Sequence, residues 1–107
     1  MKLHDALRKL CKEYGNTIIQ KTKVVYLLSD LGAFEDHPEL REVIKLIVSG
    51  GFARKFCSFS HLKDYDDFFD HGEDAIDKLY DLAGENLAGY AVDSIAYAFG
   101  LIDDPSE

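Results

Sequence analysis

The sequence predicts an all-α fold, a compact bundle of five to six short helices in a single domain. Apolar residues recur every three to four positions along most of the 107 residues, which is the spacing of helices that each bury one face. No segment alternates between apolar and polar residues for long enough to predict a strand. Glycines that can adopt positive φ follow the apolar runs and are expected to end the helices: Gly15, Gly32, Gly50, Gly84 and Gly100.

The first predicted helix runs from Leu3 to Tyr14, with its apolar residues at i, i+3, i+4, i+7, i+8 and i+11. The same register leaves charged residues on its outer face, so this helix is predicted to contact the core along one side only. After it, Asn16 can cap a short turn that buries Ile18 or Ile19.

Two further helices are predicted before the middle of the chain. Thr22 is a suitable N-cap for the second helix, which Gly32 ends. Pro38 fits the first position of the third helix because a proline there loses no hydrogen bond, and Glu39 would lie near the positive end of the helix dipole. Gly50-Gly51 is expected to end this third helix.

The second half of the chain carries three more helical patterns. A short fourth helix is predicted from three phenylalanines at helical spacing, Phe52, Phe56 and Phe59. The fifth pattern ends at Gly84 and contains Gly72, which costs about 1 kcal/mol relative to alanine inside a helix. A break near His71 is therefore left open.

The last helix has Asn86 as its candidate N-cap and ends at Gly100. It is rich in small residues: Ala88, Gly89, Ala91, Ala96 and Ala98. Small side chains let neighbouring helices approach closely, so this helix is expected near the centre of the domain. The domain is expected to span residues 1–102, and residues 103–107 are expected to form a frayed tail.

Charge is distributed unevenly along the chain. Residues 1–23 hold six Lys and Arg against two acidic residues, residues 24–63 hold five of each, and residues 64–107 hold one, Lys78, against thirteen. General nucleic-acid binding is not expected at a net charge of −8, because phosphate contacts need clustered Lys and Arg. The asymmetry favours a protein partner and leaves open a weak homodimer in which the basic first helix of one copy faces the acidic half of another.

Five aspartates in the acidic half recur every three or four residues and would line one face of a helix. They are Asp66, Asp70, Asp74, Asp77 and Asp81. A solvated helix face is the usual meaning of such a run. Like charges at i,i+4 destabilise a helix, so a surface for a basic partner and a divalent cation site are the alternatives. No metal or other cofactor is predicted, since the Glu-x-x-His pairs of helical di-iron sites are missing from the sequence.

Six aromatic residues fall within residues 52–69, with Arg54, Lys55 and Lys63 interleaved. Core packing is the expected role of most of them. Six aromatic rings are difficult to bury at one corner of a small domain, however, so a patch in this region is a second candidate for partner contact. Its predicted contact residues are Phe52, Phe56 and Phe59. Interleaved basic and aromatic residues also occur in sites for single-stranded nucleic acid.

The sequence predicts no catalytic site, so the protein is expected not to be an enzyme. The candidate nucleophiles lack a nucleophile elbow or an oxyanion setting: Cys11, Cys57, Ser29, Ser58 and Ser94. The cysteines lie in apolar runs and are predicted to be buried and reduced, and the histidines to have surface or capping roles. No membrane association is expected, because charges interrupt the N-terminal apolar residues and no apolar run could span a bilayer. The expected location is cytoplasmic.

Several short motifs occur in a characteristic order: Leu3-His4-Asp5-Ala6-Leu7, Tyr14-Gly15, Leu27-Leu28-Ser29-Asp30, Ala33-Phe34, Gly50-Gly51-Phe52-Ala53 and Ser94-Ile95-Ala96-Tyr97-Ala98-Phe99-Gly100. In this order they resemble a small helical module found in bacterial proteins of uncharacterised function, where it often lies beside other domains. The resemblance covers nearly the whole chain and is weakest at residues 57–75. It implies a cytoplasmic accessory domain and assigns no catalytic or ligand residue.

These observations predict a non-enzymatic helical domain that binds or regulates a protein partner. The alternative is a small acidic inhibitor or immunity protein that neutralises a basic toxin or nuclease by charge complementarity.

Overall fold

The computed structural model describes residues 1–62, 64–103 and 105, which fold into six α-helices and one 3₁₀ helix. The α-helices are α1 (Leu3–Tyr14), α2 (Lys23–Asp30), α3 (Leu40–Ser49), α4 (Phe52–Ser58), α5 (Tyr65–Ala83) and α6 (Glu85–Ala98). The 3₁₀ helix spans Asn16–Gln20, and none of the described residues lies in a β-strand. The Cα radius of gyration is 12.1 Å, against about 13 Å for a folded chain of this length. The predicted all-α fold is confirmed.

The last helix, α6, lies at the centre of the bundle, as its small residues predict. It packs against α1, α5 and α3, and its Ala88, Ala91 and Ala96 are fully buried. The shell is closed by α4, which packs against the 3₁₀ helix, α3 and α5. Helices α1 and α5 share no extensive interface with each other. The basic first helix and the acidic α5 therefore each pack against α6 and are not neighbours of each other.

The core is continuous through all of these elements. Its largest fully buried side chains are Phe56, Phe68, Leu3, Leu7, Ile18, Leu28, Leu40, Ile47, Ile76, Leu79, Ile95 and Val24. Both isoleucines of the 3₁₀ helix, Ile18 and Ile19, are buried. This short helix thus contributes to the core, in addition to connecting α1 to α2.

Two predicted caps are displaced by glycines. Gly15, at φ +88°, takes the N-cap position of the 3₁₀ helix in place of Asn16, and Gly84, at φ +88°, takes that of α6 in place of Asn86. The Gly84 N–H donates to the carbonyl of Tyr80 and so ends α5. Because α6 begins at the next residue, Asn86 already lies inside the first turn of α6.

The start of α3 also differs from the prediction. Pro38 lies in the turn before α3, where its carbonyl accepts a hydrogen bond from the Arg41 N–H at 3.1 Å, and the α-helix begins at Leu40. A turn with i→i+3 hydrogen bonds therefore leads into α3 before the α-helical pattern is established.

Thr22 does occupy the predicted N-cap position of α2, but its side chain makes no cap hydrogen bond.

The fifth helix is one uninterrupted helix of 19 residues, so no break occurs near His71. Gly72 is buried, and a Cβ atom built on it would lie 3.5 Å from Ile76 Cδ1 and 3.7 Å from Phe56 Cε1. The backbone of α5 passes close to α4 at this point. Packing against the Phe56 ring offsets the low helix propensity of the glycine.

The predicted tail is only partly described. Asp103 is exposed and Pro105 is buried, whereas residues 104, 106 and 107 lie outside the described residues. A buried proline is not typical of a frayed tail, and the expectation for residues 103–107 stays a prediction.

Candidate interaction surface

The five predicted aspartates all lie on the exposed side of α5: Asp66, Asp70, Asp74, Asp77 and Asp81. We name them the acidic face. At 3.6 residues per turn they fall within an arc of about 80° around the helix axis, and at 1.5 Å per residue they extend over about 22 Å. Asp64 fixes the start of the helix, because its carboxylate accepts a hydrogen bond from the Asp67 N–H at 2.9 Å. The acidic face is therefore a continuous strip on one regular helix.

The described residues provide no ion-pair partner for the acidic face. None of its aspartates forms an ion pair with any residue in the ranges 1–62, 64–103 and 105. Lys78 lies on the same helix but outside the arc, about 40° beyond Asp74. The strip therefore presents its negative charge to the solvent.

A cleft of about 640 Å³ borders the acidic face between α4 and α5. Arg54, Lys55 and Lys78 line it together with Asp74. The one basic residue of the acidic C-terminal half thus lies with two cations of α4. These three side chains place positive charge along one side of the acidic face.

The aromatic region is largely core. Phe56 and Phe68 are fully buried, with their ring centroids 5.7 Å apart, and Phe52 is only 7% exposed. The prediction that Phe52 and Phe56 contact a partner is therefore wrong, because both rings pack inside the folded protein. Counting aromatic residues did not reveal that α4 turns both of its phenylalanines, Phe52 and Phe56, into the core.

Phe59 is the one member of that predicted set that remains half-buried. Its ring centroid lies 5.6 Å from that of His71, an exposed residue of α5. Phe59 thus supports the flank of α5 and leaves only part of its ring accessible. Lys63, predicted to lie among these aromatic residues, is outside the described residues.

A polar contact between α5 and α6 was not predicted. The Tyr65 hydroxyl donates a hydrogen bond to the Asp93 carboxylate. Burial raises the pKa of Asp93, and the bond from Tyr65 opposes this rise. Burial also raises the pKa of Tyr65 and of Tyr80, and the negative charge of Asp93 adds to both increases. The available signal was an acidic residue within the mainly apolar stretch 87–99.

A second unpredicted cluster lies between α1 and α6. His4 Nδ1 lies 2.8 Å from the hydroxyl oxygen of Tyr90, and the His4 ring meets the edge of Tyr97 at a centroid distance of 5.2 Å. The Arg8 guanidinium lies 4.7 Å from the centroid of the Tyr97 ring. The prediction of a surface or capping role is wrong for His4, whose side chain is 13% exposed. The i,i+4 spacing of His4 and Arg8 was the signal in the sequence.

Two candidate nucleophiles, the buried Ser94 and the half-buried Cys57, make structural contacts. Ser94 is fully buried and donates a hydrogen bond to the Tyr90 carbonyl at 2.7 Å, and the Cys57 thiol donates to the Asn16 carbonyl at 3.3 Å. Burial raises the pKa of the Cys11 thiol to about 12 and also raises that of Cys57. Both thiols therefore remain protonated at neutral pH, and thiols are poor nucleophiles compared with thiolates.

Two whole-molecule features complete the description. Across the described ranges, no group of three His, Cys, Asp or Glu side chains is arranged to hold a metal ion. In the same residues, no helix combines the length and the apolar character needed to cross a bilayer.

Comparison with known proteins gave no match to a family model, to a curated protein or to a solved structure.

Proposed function

We propose that this protein is a non-enzymatic helical interaction domain whose acidic face binds a basic protein partner. The observation that carries the proposal is the strip of five exposed carboxylates on α5, none of which forms an ion pair among the described residues. Basic residues of a partner would supply the ion pairs that these carboxylates do not form within the described part of the domain.

Helix energetics support this function. Like charges at i,i+4 destabilise a helix by a few tenths of a kcal/mol per pair, and the acidic face contains three such pairs: Asp66/Asp70, Asp70/Asp74 and Asp77/Asp81. A helix with a purely structural role has no need of this repulsion. A partner that brings Lys or Arg against the strip would relieve it and would be steered towards it by long-range attraction.

The regular geometry of α5 is also favourable for binding. The helix is held by the core through Phe68, Ile76 and Leu79, all fully buried, so the backbone that carries the carboxylates is in place before a partner arrives. Binding then costs little conformational entropy of the backbone. We further propose a cytoplasmic setting, which accords with two unpaired cysteines, and an accessory role beside other domains of bacterial proteins, as the resemblance implies.

Affinity capture with charge variants tests the proposed function. The test variant carries Asp70→Asn, Asp74→Asn and Asp77→Asn, which keep side-chain size and remove three charges. The matched control carries Glu35→Gln, Asp36→Asn and Glu39→Gln, three exposed positions between α2 and α3. We expect wild type and control to capture the same basic protein at low salt and the test variant to lose it. Equal capture by all three proteins would contradict the proposal.

The second candidate function is that of an acidic inhibitor of a basic toxin or nuclease. The same exposed strip favours it, because a preformed acidic helix can bind across a cationic active site. It differs in predicting a stand-alone complex that forms rapidly, with an association rate that falls steeply as salt increases. Inhibition of a captured nuclease by the wild type, but not by the test variant, would select this function over the accessory role.

A further inference from the structure

We propose that a second copy of this chain is a partner of the acidic face, and that it docks through a basic, tyrosine-containing face at the end of α1, the 3₁₀ helix and the start of α2. This inference rests on the proposed function, since it uses the same acidic face. It adds the identity of one partner and the surface that the partner contributes.

Two exposed tyrosines mark the docking face. Tyr14 is 50% exposed and Tyr26 is 60% exposed. Lys23 joins them into one patch: its Nζ lies 5.2 Å from the centroid of the Tyr14 ring, and it lies one turn before Tyr26 on α2. Tyrosine is enriched among the residues that contribute most to protein interfaces.

The charge of this patch is positive and available. Lys12, Lys21 and Lys23 are exposed, and within the described part of the chain none of them forms an ion pair. The one acidic residue between positions 12 and 26 is Glu13, which pairs with Lys9 at 2.8 Å. We name Lys12, Lys21 and Lys23 with the two tyrosines the basic face.

Helix α5 also carries one exposed apolar side chain outside the acidic face. Leu82 of α5 is 61% exposed and follows Asp81 directly. With Met1, the two tyrosines and Leu82 make up the large hydrophobic side chains that are exposed in the described ranges. The two tyrosines belong to the basic face, whereas Leu82 lies outside the acidic face, about 80° around the α5 axis beyond Asp74.

The two faces cannot meet within one molecule. The basic face is carried by α1, the 3₁₀ helix and α2, none of which shares an extensive interface with α5. The exposed side of α5 points away from α6 and α4, against which its opposite side packs. When copies associate head to tail, the acidic face of one copy contacts the basic face of the next, so the opposite charges pair between molecules.

Head-to-tail contact has a consequence for assembly. Each copy would use its acidic face for one neighbour and its basic face for another, so the contact repeats into an open chain or closes into a ring. The net charge of −8 on each copy opposes association at long range. Screening reduces that repulsion beyond about 8 Å at physiological salt, while charges in direct contact are screened less. The expected assembly is therefore weak and dependent on concentration.

Complementation between two charge-reversal variants tests this geometry by sedimentation velocity. One variant carries Asp70→Lys, Asp74→Lys and Asp77→Lys, and the other carries Lys12→Glu, Lys21→Glu and Lys23→Glu. We expect wild type to form oligomers of increasing size with concentration, and each variant alone to weaken self-association on the order of tenfold or more. An equimolar mixture should again form oligomers of increasing size, because the two native faces pair and the two reversed faces also carry opposite charges.

Other results would overturn the proposal. Wild type that remains monomeric up to about 1 mM overturns it, and so does a mixture no more associated than its components. Tyr26→Ala, an exposed change, should weaken wild-type association several-fold while circular dichroism shows an unchanged helical fold. Unchanged association would remove the tyrosines from the contact and overturn the docking face. If wild type is monomeric but its acidic face still captures a basic protein, this inference fails and the proposed function stands.

Discussion

The hydroxyl of Tyr65 donates a hydrogen bond to the carboxylate of Asp93, and this bond joins the first residue of α5 to the C-terminal half of α6. Both side chains are half-buried. The bond therefore fixes the end of α5 that carries Asp66 to the central helix of the bundle.

Tyr65→Phe should lower the free energy of unfolding by about 1 kcal/mol, because it leaves a partly buried carboxylate without its donor. It should also raise the pKa of Asp93 further, since the bond now opposes the effect of burial. Tyr80→Phe is the matched control, because it removes the same atom from a half-buried tyrosine of α5 without breaking a side-chain hydrogen bond. Urea unfolding measures the free energy of unfolding, and NMR titration measures the pKa of Asp93. Equal losses of unfolding free energy in Tyr65→Phe and Tyr80→Phe would contradict the prediction.

Asp93→Asn should make stability less dependent on pH. The pKa of Asp93 is raised in the folded protein, so its favourable contribution is complete below the unfolded pKa of about 3.9 and is lost as the pH rises through the folded value. Asparagine can still accept the bond from Tyr65 but carries no charge. We expect the variant to gain stability relative to wild type between pH 4 and pH 7, as measured by urea unfolding. A difference that stays constant with pH would show that Asp93 does not titrate as proposed.

Gly72→Ala and Gly50→Ala should change stability in opposite directions. A Cβ atom at Gly72 would make ordinary contacts, the nearest at 3.5 Å, so the higher helix propensity of alanine should stabilise the protein by about 0.5–1 kcal/mol. At Gly50 the Cβ atom would lie 2.8 Å from the Leu46 carbonyl oxygen and 2.9 Å from the Phe52 ring. That overlap should cost about 1–3 kcal/mol. Thermal unfolding of both variants measures the difference, and a destabilised Gly72→Ala would indicate tighter packing than these distances imply.

Phe56→Ala should lower the free energy of unfolding by about 3–5 kcal/mol, because it removes a fully buried ring that contacts Phe68. Total stabilities of small domains are about 5–15 kcal/mol, so this change should bring the protein close to unfolding. Lys55→Ala, an exposed neighbour on α4, serves as the control and should have little effect. Chemical unfolding distinguishes them; a Phe56→Ala protein as stable as the control would contradict the burial of this ring.

Asp70→Asn, Asp74→Asn and Asp77→Asn together should stabilise α5 at low salt, because they remove like-charge repulsion at i,i+4 of a few tenths of a kcal/mol per pair. The gain should shrink at about 1 M salt, where the Debye length falls to about 3 Å. Melting temperatures at the two salt concentrations test this. If this variant is more stable but no longer binds the basic partner, the aspartates serve binding and lower the stability of the fold. A less stable variant would instead imply that the aspartates stabilise the helix.

The sequence is sufficient to predict the helices and the acidic face, because both follow from local spacing. Periodicity places the aspartates on one side of α5, and glycines mark where helices end. Local spacing does not identify the neighbour of each face. The contact of His4 with Tyr90 spans 86 positions and that of Tyr65 with Asp93 spans 28, so neither could be predicted from nearby residues.

The same limit explains the two phenylalanines assigned to the wrong environment. Spacing predicts that Phe52, Phe56 and Phe59 share a helix, but the packing of α4 against α3, α5 and the 3₁₀ helix decides which of them are covered. The uninterrupted α5 has a similar origin. Gly72 weakens the helix locally, yet its position beside the Phe56 ring makes it part of the core. Tertiary packing thus overrides the local preference at this position.

Gly84 ends α5 and begins α6 with no loop between them. A molecule that binds the outer side of α5 would consequently stabilise α6 as well, because the unfolding of either helix would require the unfolding of the other. Occupancy should therefore raise the melting temperature of the entire domain in proportion to the logarithm of ligand concentration above the dissociation constant. Thermal-shift screening could reveal a binding molecule without a label and before its identity is known.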